Sequence, residues 1–360
     1  MNNGNINNLC SIMIPTYNRP QYLKRVLNYY NECVENFKIF IADSSEESIK
    51  KQNKQIIESF SKMNILYLDH YQPENNDYLC VMHKILDMMD HIKDKYCVYC
   101  ADDDFVTPNG ITQSVSFLEK NPDFSVALGK SISFMIVDNQ FYWKHSAQLK
   151  SIIDSDPKDR MFSIISNPAA YPAPTGGINK TEMLKMFWKE TIKYVNDGRF
   201  GELMMYPLSL AYGKMKYLDN VFFSAREMSQ DSVGNAMCRF SDFITDGSFD
   251  NRYSEVKEGL AIHLTKNSKI DIDEAKYVIE RGLKEFFKIA EHGQLIPKLN
   301  RILINMKLPN KIDGVVRTPY RLVSRLKAGD SLEGYDINRC FHDNFGDFYK
   351  IKKWVMNDIK

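Results

Sequence analysis

The sequence predicts an α/β fold: a Rossmann-like, mixed but mainly parallel sheet flanked by helices, followed by a helical C-terminal region. Three observations carry this. Short apolar runs alternate with amphipathic helical stretches through roughly the first 110 residues, and the loops between them are short. Strand–helix alternation of this kind builds a parallel sheet covered on both faces. Polar clusters fall at the ends of three strand-like runs: Pro15 to Arg19, Asp43 to Ser45, and Asp102 to Asp104. Ligands of such sheets bind beyond the carboxyl ends of the strands, so these clusters mark a candidate site.

Each element follows from periodicity. Leu9–Ile14 reads as a strand ending in the turn Pro15-Thr16-Tyr17-Asn18-Arg19-Pro20, and Gln21–Val34 has helical spacing. Phe37–Ala42 is a second strand, with a polar helix after it to about Ser61. Ile65–Leu68 is a third strand, Asn76–Lys93 a helix, and Tyr96–Ala101 a fourth strand. Pro108 opens a helix where proline is well tolerated. Phe124–Val137 reads as two strand-like runs flanking Gly129-Lys130, and Pro168–Gly177 as a shaped loop. Helices from about Thr181 and from Phe200 to Tyr212 precede two short strands, Lys214–Leu218 and Val221–Ala225. After Met228, Ser, Asp, Gly and Asn become frequent and the remainder reads as helical, as over Ile272–Ala290. The expected division is a sheet domain over 1–228 and a mainly helical domain over 229–360, with the boundary near Ser229.

An apolar content of 44% supports a sizeable core, and a net charge of +1 argues against binding nucleic acid by bulk electrostatics. The Asn-rich opening lacks the pattern of a secretory leader, and no apolar run reaches the roughly 18 residues that span a bilayer. Seven scattered cysteines fit reduced thiols, so the expected location is cytoplasmic. Cys97 and Cys100 form a C-x-x-C, which suits a redox or zinc pair. They lie in a strand, where residues three apart face opposite ways, and no second pair follows; both are assigned to the core.

Asp102-Asp103-Asp104 follows a buried strand. Adjacent carboxylates repel, and a magnesium or manganese ion on their oxygens would relieve that cost. A solvated acidic turn before the Pro108 helix is the alternative.

Taken together, Ser11-Ile12-Met13-Ile14-Pro15-Thr16-Tyr17-Asn18-Arg19-Pro20, Ile39-Phe40-Ile41-Ala42-Asp43-Ser44-Ser45 and Tyr99-Cys100-Ala101-Asp102-Asp103-Asp104-Phe105-Val106-Thr107-Pro108 resemble glycosyltransferase family 2, over residues 9 to 228. The Ala-Asp-Asp-Asp-Phe signature is similar to a bacterial surface-polysaccharide subgroup. The resemblance implies a glycosyltransferase A-type fold and transfer of a sugar from a nucleoside-diphosphate donor, commonly a UDP-sugar, to a saccharide or lipid-linked acceptor. It implies that Pro15, Thr16 and Tyr17 hold the base, that Asp43 hydrogen-bonds it, and that Asp102 and Asp103 stand at the nucleotide. Asp102 and Asp104 would hold Mn2+ or Mg2+. Lys84 stands where the family often carries an arginine near the nucleotide, although a lysine on a helix is usually just solvated.

The resemblance also places the general base where a carboxylate pair opens a helix and a glycine follows about three turns on. Here Gly201-Glu202 opens the helix and Gly213 ends it, so Glu202 is the expected base. Gly201 replaces the first acid, which leaves Asp197 as a second candidate. The family's metal-binding histidine is missing; Arg226 stands at that place, suited to a diphosphate or to an ordinary salt bridge. Gly176 and Gly177 match a segment that approaches the acceptor. The family implies inversion at the sugar.

The stretch 297–327 holds eight Lys or Arg and one Asp among apolar residues. Such a segment suits peripheral membrane contact, a solvated helical face or a homo-oligomer contact. Two other readings compete. A sugar-phosphate nucleotidyltransferase needs a Gly-rich phosphate loop where this chain has Pro-Thr-Tyr-Asn-Arg-Pro. A non-catalytic glycan-binding or scaffold descendant is left open by the missing acid and histidine.

Overall fold

The structure is a computed structural model that describes residues 9–72, 78–137, 139–145, 149–228, 240–287 and 345–357. The first half alternates as expected: β1 (Cys10–Thr16), α1 (Pro20–Asn31), β2 (Lys38–Asp43), α2 (Glu47–Glu58), β3 (Asn64–Leu68), α3 (Tyr78–His91) and β4 (Tyr96–Tyr99). After the acidic run come β5 (Asp104–Val106), α4 (Pro108–Lys120), β6 (Phe124–Val137), β7 (Gln140–His145) and α5 (Pro157–Ser166). Then follow β8 (Ile178–Lys180), α6 (Thr181–Tyr194), α7 (Gly198–Ala211) and β9 (Lys214–Glu227). The remaining described helices are α8 (Phe240–Thr245), α9 (Phe249–Asn267), α10 over 272–287, and α11 (Phe345–Asn357).

The nine strands form one mixed sheet in the order β3-β2-β1-β4-β8-β6-β9-β5, with β7 paired to β6. The half from β3 to β4 is parallel. Its strands are near-continuous apolar runs because helices cover both faces; Ile12, Met13, Ile14, Ile39 and Ile41 are buried. The ends of β1, β2 and β4 therefore lie side by side, which brings the three polar clusters together.

Two expectations about strands are corrected. Phe124–Val137 is one strand, and so is Lys214–Glu227; the two pair in parallel, with register shifts on both sides of Lys130. The sequence break at Gly129-Lys130 is a bulge. Gly129 is required there, because a Cβ would overlap the carbonyl oxygen of Val221. Cys97 and Cys100 are buried free thiols, as assigned.

The later helices pack on the sheet domain through aromatic contacts. Phe200 of α7 meets Phe240, Phe243 and Phe249 with ring centroids 5.2, 5.4 and 5.6 Å apart. Phe348 of α11 packs on Trp143, and Lys353 pairs with Glu32 just past the end of α1. Ser229 and the basic stretch 297–327 lie outside the described residues. No described helix is long and apolar enough to cross a membrane.

Candidate active site

The turn after β1 is fixed to the end of β2. Asn18 adopts a left-handed backbone (φ 54°), which asparagine tolerates better than most residues. Its N–H donates to Ser45 Oγ at 2.7 Å, and its side-chain oxygen accepts from the N–H of Glu46 at 3.0 Å. Pro15, Thr16 and Tyr17 consequently line a cavity of about 420 Å³. Lys84 comes up from α3, buried, and donates to the Thr16 carbonyl at 3.3 Å and to Ser44 Oγ at 2.6 Å. It lines the same cavity.

Asp43 is not brought to the cavity. It is fully buried, and its carboxylate accepts from the N–H of Ser45 at 2.8 Å, Asn53 Nδ2 at 2.8 Å and Tyr67 Oη at 2.6 Å. Its oxygens tie the end of β2 to α2 and β3.

The acidic run splits. Asp102 is fully buried and outside the cavity lining; one oxygen accepts from Thr16 Oγ1 at 2.7 Å and the other pairs with Arg19. Asp103 pairs with Arg19 at 2.8 Å and lines the cavity, as does Asp104. Asp104 accepts from the N–H of Glu227 at 3.2 Å. Burial and the neighbouring Asp103 hold the Asp104 carboxyl well above the usual carboxylate range. Burial, opposed by Arg19, also raises Asp102. Sequence reading gave Arg19 no role; its signal was a guanidinium in a strand-end turn beside three acids on the adjacent strand.

Glu202 reaches the cavity from α7. The helix opens at Gly198, four residues before Glu202, and is capped by Asp197, which accepts from the N–H groups of Arg199 and Phe200. Asp197 also pairs with Arg252 at 2.6 Å and does not line the cavity, which removes it as an alternative base. Burial raises the Glu202 carboxyl, while Arg199 and the neighbouring Tyr206 oppose the rise. Thr175 lies beside Tyr206 and lines the same cavity. Gly201 leaves room for Tyr78, since a Cβ there would lie 2.9 Å from the ring. Tyr78 and Tyr206 both line the cavity, and neither was singled out from sequence.

Arg226 lies opposite Asp104 in the β5–β9 ladder and lines the cavity. The salt bridge weighed for it does not form among the described residues; Glu227 pairs with Arg25 instead. Gly176 lies against the Arg226 guanidinium, and Gly177 packs on Val126 and Leu128 away from the cavity.

No group of three His, Cys, Asp or Glu converges as a metal site among the described residues. The donor set still fits a hard divalent cation of the magnesium type. Asp104 is a half-buried, under-compensated carboxylate facing the cavity beside Asp103, and such ions take one or two carboxylates plus phosphate and water oxygens.

A nucleotide-sized cavity thus lies at the carboxyl ends of a parallel half-sheet, with acids on one element and a raised carboxylate on another. Residues 11–184 match the family model described as glycosyl transferase family 2, so the chain carries a domain of that family and is a glycosyltransferase. Among solved structures it is similar to S. aureus TarS 1–349 in complex with UDP-GlcNAc: 13% identity and TM-score 0.51, over 84% of this chain and 77% of that one. Full S. aureus TarS gives 16% identity and TM-score 0.49, over 89% of this chain and 53% of that one. Mannosyltransferase PcManGT from Pyrobaculum calidifontis, in complex with GDP-Man and Mn2+, gives 11% identity and TM-score 0.43, over 89% and 84%. The TarS 1–349 likeness shows the shared fold. No curated protein matches the chain in sequence.

Proposed function

We propose that the protein transfers a sugar, with inversion, from a nucleoside-diphosphate donor of the UDP-sugar type to a saccharide or lipid-linked acceptor in surface-polysaccharide synthesis. The observation that supports this best is the joint placement of Asp103, Asp104 and Glu202 on one cavity, from separate elements. The base and ribose lie against Pro15, Thr16 and Tyr17, with Lys84 fixing the turn that carries them. Asp104, with Asp103 or donor oxygens, holds Mn2+ or Mg2+. When bound, the ion supplies Lewis-acid neutralisation of charge on the departing diphosphate.

Glu202 accepts the proton of the acceptor hydroxyl as that oxygen attacks the anomeric carbon. Asp103 and Asp104, at the start of β5, are occupied with the diphosphate end, so the base has to come from another element, and α7 supplies it. Tyr206 stands beside Glu202. Partly withdrawn from solvent, Glu202 is a stronger base than a solvated carboxylate. A screen of nucleotide-sugar donors with manganese, read by nucleotide release, tests the assignment. Release above background from one donor, dependent on acceptor, supports it; no release from any donor sinks it.

A further inference from the structure

We propose that Arg226, seated against the bare Cα of Gly176, is a diphosphate-binding group that works without the metal ion. The inference rests on the nucleotide-sugar reading above and adds a second source of positive charge to that site.

The cations of the cavity are not equivalent. Arg19 is committed to Asp102 and Asp103, and Lys84 to Thr16 and Ser44. Arg226 feels Asp104, Glu202 and Tyr206 electrostatically, yet makes no ion pair or side-chain hydrogen bond among the described residues. A half-buried guanidinium with unused donors is costly unless an anion completes it. Its planar fork matches two phosphate oxygens better than an ammonium does. The β5–β9 ladder sets it directly across from Asp104, where the diphosphate would meet the metal.

Gly176 explains how the guanidinium gets there. A Cβ at this position would overlap Arg226 Nη2 and stand 3.3 Å from Cζ. The glycine is held in a 3-10 turn, its N–H donating to the Ala173 carbonyl at 3.1 Å, so the backbone cannot easily withdraw. Its smallness serves the arginine and not the acceptor sugar expected from sequence. The chain thus supplies a fixed charge where no third protein ligand for a metal is found among the described residues.

The test is calorimetric titration of the full chain with inorganic pyrophosphate in EDTA and again with Mn2+. Wild type should bind pyrophosphate in EDTA. Arg226→Ala should lose at least tenfold in affinity there, Arg226→Lys less. Gly176→Ala, which keeps the guanidinium but fills its seat, should lose a similar factor. The double variant Gly176→Ala/Arg226→Ala should be no weaker than Arg226→Ala alone. Arg226→Ala serves as the decisive variant if Gly176→Ala does not fold. Unchanged binding by Arg226→Ala in EDTA overturns the proposal. Wild-type binding that appears only with Mn2+ overturns it too, while leaving the donor reading standing. Absence of binding under both conditions overturns the donor reading as well.

Discussion

Arg19 and Arg226 line the same cavity beside the same acids, but they are held in opposite ways. Arg19 bridges Asp102 and Asp103 and lies over the Tyr22 ring at 5.1 Å. Arg226 ends without an ion pair among the described residues. The first is internal neutralisation: it lets two acids sit next to each other inside a fold. The second, with Asp104 and Glu202, is capacity left unspent. Working charge in this site is distinguished from scaffold charge by what already compensates it, and residue type alone does not reveal this.

The comparison can be broken most forcefully at Glu202. Glu202→Gln keeps shape and removes the basic oxygen, so transfer should fall by roughly 10²- to 10⁴-fold with donor affinity retained. Because burial raises this carboxyl and the base must be ionised, wild-type transfer should decline as pH falls through a value above the ordinary glutamate range. A rate profile with its acid limb near the usual carboxylate pKa, or a fully active Glu202→Gln enzyme, would remove Glu202 from the base role.

Arg19→Ala removes the guanidinium paired with two buried carboxylates and should cost about 3 kcal/mol of stability at neutral pH. Arg226→Ala should stay within about 0.5 kcal/mol of wild type, as for a side chain without structural partners. Urea denaturation of both variants checks this, and equal losses would erase the distinction. Asp43→Ala takes the acceptor from the Ser45 N–H and Asn53 Nδ2, while Tyr67 keeps the Lys50 carbonyl, and should cost about 2 kcal/mol by the same assay, with nucleotide affinity of the folded protein unchanged.

At Asp104 the expected effect has the opposite sign. Its folded-state pKa lies above the unfolded value, so its ionised form is penalised in the fold once pH exceeds the ordinary carboxylate range. Asp104→Asn should therefore be more stable than wild type in EDTA at pH 7, by about 1 kcal/mol, and lose that advantage as pH falls through the ordinary aspartate range. Added Mn2+ should raise the melting temperature of wild type only. A variant that melts below wild type in EDTA, or that responds equally to Mn2+, contradicts the assignment.

The fold was legible because β1, β2 and β4 are local apolar runs with polar ends, and the turn at Pro15–Arg19 sits within a few residues of its strand. The cavity was legible for the same reason, since Thr16, Tyr17 and Asp104 are strand-end residues. What the sequence could not show was commitment. Asp43 reads as a free carboxylate at a strand end, and its partners Asn53 and Tyr67 arrive from α2 and β3. Asp102 and Asp104 are two residues apart and chemically identical, yet Arg19 takes one and leaves the other. Asp197 and Glu202 are both acids near one helix start, and only the helix boundary at Gly198 tells a cap from a cavity residue. Gly129 looked like a strand break because a bulge and a loop both call for glycine.

Gly201 and Tyr78 carry a historical implication. If the position of Gly201 once held an acid, as the resemblance of this helix to its family implies, the change to glycine and the arrival of the tyrosine ring are coupled. Restoring a side chain at 201 would bring its Cβ to 2.9 Å from that ring, so the outer end of Tyr78 would have to swing aside or shrink. Sequences descended from this one that recover the second carboxylate should therefore tend to change at 78 as well.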